Sequence, residues 1–235
     1  MSPTKLFHTP QRRFAAVLIA AVALAAVLVG ASRVGAGDAK VEPASPLERS
    51  LFAGIEQHGN ALGSPKAPVT LVEYADLQCP YCAQWARDAL PTLVDEYVKT
   101  GRLRIVFRGL AFIGPDSDKA LRAALVAGRA NHLWDVVHAL YLRQGAENAG
   151  WVTDELLNEI AAGVPGLDAE KLLDERSQSS VAGELERAAA AALAAGVNGT
   201  PAFQVGPTGG ALEVVRVSSL GPEGIVPAVE EALAR

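Results

Sequence analysis

From Pro68 onward the spacing of apolar residues changes period three times along the chain. Residues 68–75, PVTLVEYA, are apolar almost throughout, the pattern of a strand covered on both faces. The turn DLQCPYC follows, and then AQWARDALPTLVDEYVKTG, which reads as a helix. Its Leu90–Pro91 step should kink or break that helix, because proline brings no N–H and crowds the preceding turn. In RLRIVFR (102–108) the period drops to two, with Leu103, Ile105 and Phe107 on one side and Arg102, Arg104 and Arg108 on the other. Strand, helix, strand at these lengths predicts a parallel βαβ unit. Apolar residues then recur every three or four positions from Ser117 to Ala195, punctuated by Gly145, Gly150 and GVPG at 163–166. Strand character returns in AFQVG (202–206) and ALEVVRV (211–217), a predicted hairpin. Pro222 opens a last helix whose middle Pro227 should disturb. No internal repeat is visible.

The N-terminal region has a different character. Residues 14–31, FAAVLIAAVALAAVLVGA, carry no charge, and Lys5, Arg12 and Arg13 precede them. A basic flank before an apolar run of about 18 residues predicts a cytoplasmic N-terminus and an exported remainder. The length favours an uncleaved transmembrane anchor over residues 1–31. The small residues VGA at 29–31 and 34–36 leave a cleaved signal peptide as the alternative. Residues 32–55, rich in Gly, Pro, Ala and Ser at their start, read as a flexible linker. Residues 56–235 then form the folded domain, with the helical segment at about 114–196. Composition changes this picture little. Half the residues are hydrophobic and the net charge is −5, with no Lys/Arg block to form a nucleic-acid footprint. Trp85, Trp134 and Trp151 read as packing residues, and the apolar loop GLAFIG (109–114) either lines a groove or lies under the helical segment.

The chemistry lies in the only two cysteines, Cys79 and Cys82. Two cysteines placed at random in this length would stand three apart roughly once in a hundred chains, so the spacing carries information. A structural disulfide between such neighbours closes a tiny loop and constrains the unfolded chain little. A metal site needs more ligands, and His8, His58, His132 and His138 show no paired spacing with the cysteines. Thiol–disulfide exchange needs nothing more. If the strand ends near Asp76 and the helix begins near Cys79, that sulfur meets free N–H groups and the positive end of the helix dipole. Pro80 suits the first helical position, and Cys82, one turn further in, is the resolving thiol.

ALGSPKAPVTLVEYADLQCPYCAQW resembles the active-site region of the DsbA-like thiol:disulfide oxidoreductases, within the thioredoxin superfamily. VNGTPAF (197–203) is similar to the cis-proline loop of that superfamily, and the long helical stretch between the two motifs resembles the family's insertion. The resemblance implies an α/β thioredoxin fold with an α-helical insertion, preceded by the transmembrane or signal segment. It assigns Cys79 as nucleophile, Cys82 as resolving cysteine, Pro201 as the cis-proline and Thr200 as the residue offering its backbone to an extended substrate. Glu73 matches the family's buried acid, whose implied role is moving a proton to or from Cys82 with a pKa raised by burial. Whether Arg104 or Arg108 balances its charge stays open, as does a solvated carboxylate at the strand end.

Pro80 and Tyr81 surround the nucleophile and tune its potential; this dipeptide lacks the histidine of many strongly oxidising relatives. The family further implies no cofactor beyond a redox-active Cys79–Cys82 disulfide. Reduced exported proteins are the implied substrates, and a quinone-linked membrane oxidase of the DsbB or vitamin K epoxide reductase (VKOR) type restores the disulfide. The expected activity is an extracytoplasmic oxidase that introduces disulfides. A reductase or isomerase of the same fold, and a non-catalytic peptide-binding module, are the alternatives.

Overall fold

The computed structural model describes residues 51–235, so the predicted anchor and residues 32–50 of the predicted linker lie outside it. Among the described residues no helix is long and apolar enough to cross a membrane. The strands are β1 (Gln57–His58), β2 (Ala61–Leu62), β3 (Val69–Asp76), β4 (Leu103–Leu110), β5 (Ala202–Pro207) and β6 (Glu213–Val215). They form one sheet in the order β1-β2-β4-β3-β5-β6. Only β3 and β4 run parallel; the other neighbours pair antiparallel.

The helix joining β3 to β4 comes in pieces. Helix α1 (Pro80–Asp88) gives way at Ala89 to α2 (Leu90–Leu93) and a π turn at Val94–Val98. The break falls at the residues before Pro91, where the missing N–H and the ring's bulk predict it. Between β4 and β5 lie α3 (Pro115–Arg129), α4 (Leu133–Leu142), α5 (Asp154–Gly163), α6 (Ala169–Glu175) and α7 (Ser179–Ala194). Helix α8 (Pro222–Leu233) closes the chain. The βαβ unit and the β5–β6–α8 unit are the two halves of a thioredoxin fold, with α3–α7 set between them.

All eight residues of β3 are buried, as a strand in the middle of a sheet covered on both faces requires. Leu71 and Ala75 face the main core with Ile105, Phe107, Phe203 and Val205. Val72 and Tyr74 face the other way, into a smaller cluster with Val106, Leu110 and Ala192 of α7. Val106 thus shares the face expected to be arginine-lined, because α7 covers its middle.

Three expectations need correcting. Phe52, placed in the linker by the sequence, is 5% exposed and packs edge-on to Trp134 and His138, so the packed chain starts before residue 56. Strand β6 is shorter than 211–217. Pro227 does not interrupt α8: it sits on the exposed side, while Ile225 and Val229 hold the helix in the core.

If Phe52 is a core residue, Phe52→Ala costs about 3 kcal/mol. Urea unfolding should show that loss with an unchanged m-value. A variant as stable as the parent returns residue 52 to the tether.

Candidate active site

Cys79 is the N-cap residue of α1 and Pro80 opens the helix. Its backbone is extended (φ −69°, ψ 118°), and its carbonyl accepts the N–H of Ala83 at 3.1 Å. Because proline has no N–H, the first free donors of the helix belong to Tyr81 and Cys82. Both cysteines are free thiols. Cys82 is completely buried and Cys79 is 4% exposed, with Tyr81 standing out beside it at 61%.

The Thr200–Pro201 peptide bond is cis. It brings Thr200 next to the cysteines: the Cys79 thiol donates to the Thr200 carbonyl at 3.3 Å. The Cys79 pKa is lowered from 9 to about 6. The hydrogen bond from the Cys82 thiol is the main cause; the Thr200 side chain and the N–H groups of Cys82 and Tyr81 add to it, against burial, which raises it. Cys82 moves the opposite way, well above the usual thiol range, through burial first and then through donating to Cys79 and the nearby charges of Cys79 and Glu73.

Glu73 is 1% exposed and stands in register between Phe107 of β4 and Phe203 of β5. Its Oε1 has no hydrogen-bond partner. Burial, helped by the charge of Cys79, pushes its pKa up to about 8. Neither arginine balances it. Thr70 pairs with Arg104 and Tyr74 with Arg108, so both guanidinium stems leave from the opposite face of the sheet. Glu73 is therefore a buried acid that neither Arg104 nor Arg108 neutralises, and not a solvated strand end.

A polar network that sequence reasoning missed ties this turn to the inserted helices. Asp76 is fully buried and its carboxyl oxygens accept four hydrogen bonds. They come from the N–H of Gln78 (2.9 Å), the Ser117 hydroxyl (2.5 Å) and the N–H groups of Phe112 (3.0 Å) and Ile113 (3.1 Å). The loop 111–114 is thereby pinned beside the site, with Phe112 59% exposed. Gln78, also buried, donates to Ser117 (3.0 Å) and to Asn148 Oδ1 (3.1 Å), and accepts from Asn148 N–H at 2.6 Å. Gln144 donates to the carbonyls of Leu77 (2.9 Å) and Cys79 (3.2 Å), and the Tyr141 hydroxyl to that of Asp76 (3.3 Å). The one sequence signal for these residues is a polar and glycine-rich break, RQGAENAG, between two apolar helices.

A buried dithiol with one acidic sulfur near the surface and a buried carboxylic acid behind it is equipped for thiol–disulfide exchange. The thioredoxin family model matches residues 56–209. The probable disulfide bond formation protein D of Bacillus anthracis is 30% identical over 148 residues, 62% of this chain and 68% of the relative. The crystal structure of oxidised BdbD from Bacillus subtilis superposes with a TM-score of 0.67 at 23% identity, covering 77% of this chain and 98% of that one. Wolbachia pipientis α-DsbA1 gives 0.65 at 19% identity, covering 74% and 90%. The chain belongs to the thioredoxin family, in its DsbA-like branch of thiol:disulfide oxidoreductases.

Proposed function

We propose that this enzyme works outside the cytoplasm as an oxidase, passing the Cys79–Cys82 disulfide to reduced exported proteins. The observation that carries the reading is the Cys79 sulfur at the N-cap of α1, acidified to about 6. A substrate thiolate attacks Cys79 Sγ, and Cys82 leaves as a thiolate. Glu73, protonated below about pH 8, supplies the proton Cys82 then needs. A second substrate thiolate attacks the substrate sulfur of the mixed disulfide, forming the substrate's disulfide and releasing Cys79 as a thiolate. A low leaving-group pKa speeds that last step. The Thr200 backbone, next to Cys79, offers an edge to an extended substrate. Reoxidation falls to a quinone-linked membrane thiol oxidase, of the DsbB or VKOR type. The apolar segment 14–31 is the proposed tether to that membrane.

The name of the Bacillus anthracis relative, a probable disulfide bond formation protein, supports the oxidising direction. A thiol whose pKa falls from 9 to about 6 stabilises the reduced form at pH 7 by between about 1 and 2 kcal/mol, or roughly 30 mV. That is a fifth of the roughly 150 mV separating the most oxidising members of such families from thioredoxin. The Pro80–Tyr81 pair adds no positive charge, which is the observation favouring a reductase or isomerase. The potential against glutathione decides: an oxidase lies well above about −230 mV, and a value near −270 mV counts against it.

In cells, Cys82→Ser should hold exported proteins on Cys79 as mixed disulfides, and Cys79→Ser should capture none and lose all oxidase activity. Full activity of Cys79→Ser sinks the enzymatic reading. Glu73 makes a separate prediction about stability. Its folded pKa of about 8 lies above its unfolded value of 4.5, so the stability it allows is complete below pH 4.5 and is lost as pH rises toward 8. Glu73→Gln removes that loss. The variant's advantage over the parent in urea unfolding should be small at pH 4.5 and reach a few kcal/mol at pH 8. An advantage that does not change with pH means the carboxyl is not buried as an acid.

A further inference from the structure

We propose that Gln144 is a positioning residue for exchange at Cys79, acting from the inserted helices through two backbone carbonyls. The inference rests on Cys79 being the reactive sulfur. Gln144 follows α4, half-buried, and both hydrogens of its amide are used on the turn between β3 and α1. One goes to the Leu77 carbonyl at 2.9 Å and the other to the Cys79 carbonyl at 3.2 Å. Gln144 touches neither sulfur, so it acts through what it holds.

Two consequences follow from those bonds. The first is geometric. The peptide planes after Leu77 and after Cys79 set the direction in which the chain enters α1. With them fixed, the N–H groups of Tyr81 and Cys82 stay aimed at Cys79 Sγ, where both lower its pKa. The second is electrostatic. The Cys79 carbonyl oxygen is the negative end of a dipole in the same residue as the thiolate. It accepts from Ala83 N–H inside the helix and from Gln144 outside it, and each donor offsets part of that negative end. The side chain is held in place from the far side too. Gln78, between the two carbonyls, is clasped by Asn148, four residues beyond Gln144. A loop of the insertion thus grips the residues on both sides of Gln78, and the acidity of Cys79 depends on that grip.

Two replacements separate this role from a purely structural one. Gln144→Met keeps the length and removes both donors; Gln144→Glu turns an acceptor toward two carbonyls. The pH dependence of iodoacetamide alkylation at Cys79 in the reduced full-length protein reads the thiolate directly. For Gln144→Met the midpoint should rise by roughly one pH unit, the size of one lost hydrogen bond. Alkylation at pH 6 should then slow roughly fivefold, and Gln144→Glu should exceed both effects. Equilibrium with glutathione at pH 7 should shift roughly fivefold toward the disulfide, and the shift should fade below pH 5, where the thiol is protonated in both proteins. Gln144→Ala takes the place of either variant that lacks a cooperative melt. Folded variants with the parent's midpoint overturn the role of Gln144 and leave the proposed function standing. A parent midpoint near 9 overturns both.

Discussion

Two acids share one apolar core here, and the chemistry depends on how few hydrogen-bond donors reach that core. Cys79 and Glu73 are both nearly closed to water, and burial alone raises the pKa of each. The difference is supply. The N-terminus of α1, the Cys82 thiol and Thr200 all direct donors at Cys79, and together they outweigh its desolvation. Glu73, between two phenylalanines, has an oxygen with no partner, and nothing opposes its desolvation. One site therefore holds an anion near neutral pH and, behind it, an acid that keeps its proton. Pro80 contributes by what it lacks. It opens the helix without an N–H of its own, so the unpaired first-turn amides that meet the sulfur are those of the next two residues.

The parts legible in the sequence are those with local signals. The all-apolar run before the cysteines, the alternation in 102–108 and the Leu90–Pro91 break each follow from properties of neighbouring residues, and the parallel pairing of β3 with β4 rests on the length of one connection. The cysteine spacing is a short motif of the same local kind, whereas the cis bond at Thr200–Pro201 is implied only by the resemblance of VNGTPAF to the superfamily's loop. The counter-charge question shows where local reading stops. Arg104 and Arg108 lie close to Glu73 in any strand pairing, and only the register reveals that they leave by the other face. A slip of one residue reverses that answer, and no residue of the strand alone announces the register.

Asp76, Gln78, Gln144 and Asn148 were illegible for a different reason. Each is an ordinary polar residue at the end of a helix or strand, where such residues are common and usually solvated. Their meaning comes from contacts 36 to 70 positions apart in the chain, such as Asp76 with Phe112 and Gln78 with Asn148. A buried polar network has no periodicity to detect, because its members satisfy one another across elements and not along one.

That network also changes what the inserted helices are. Asp76 ends the strand that carries Glu73 and begins the turn that carries Cys79. Only one of the four donors to its carboxyl group, the Gln78 N–H, belongs to that turn. The others come from the loop after β4 and from Ser117 in the first turn of α3. Of the three, Ser117 alone lies in the inserted helices, and leaving a buried acceptor without its donor costs roughly 1–3 kcal/mol. That is a sizeable part of the folding free energy of an ordinary domain, roughly 5–15 kcal/mol. A thioredoxin core stripped of this segment would keep the cysteines and lose the structure that shapes the turn around them. The insertion is thus part of the foundation on which Cys79 stands, and that sulfur's surroundings depend on the inserted helices as well as on the thioredoxin fold around them.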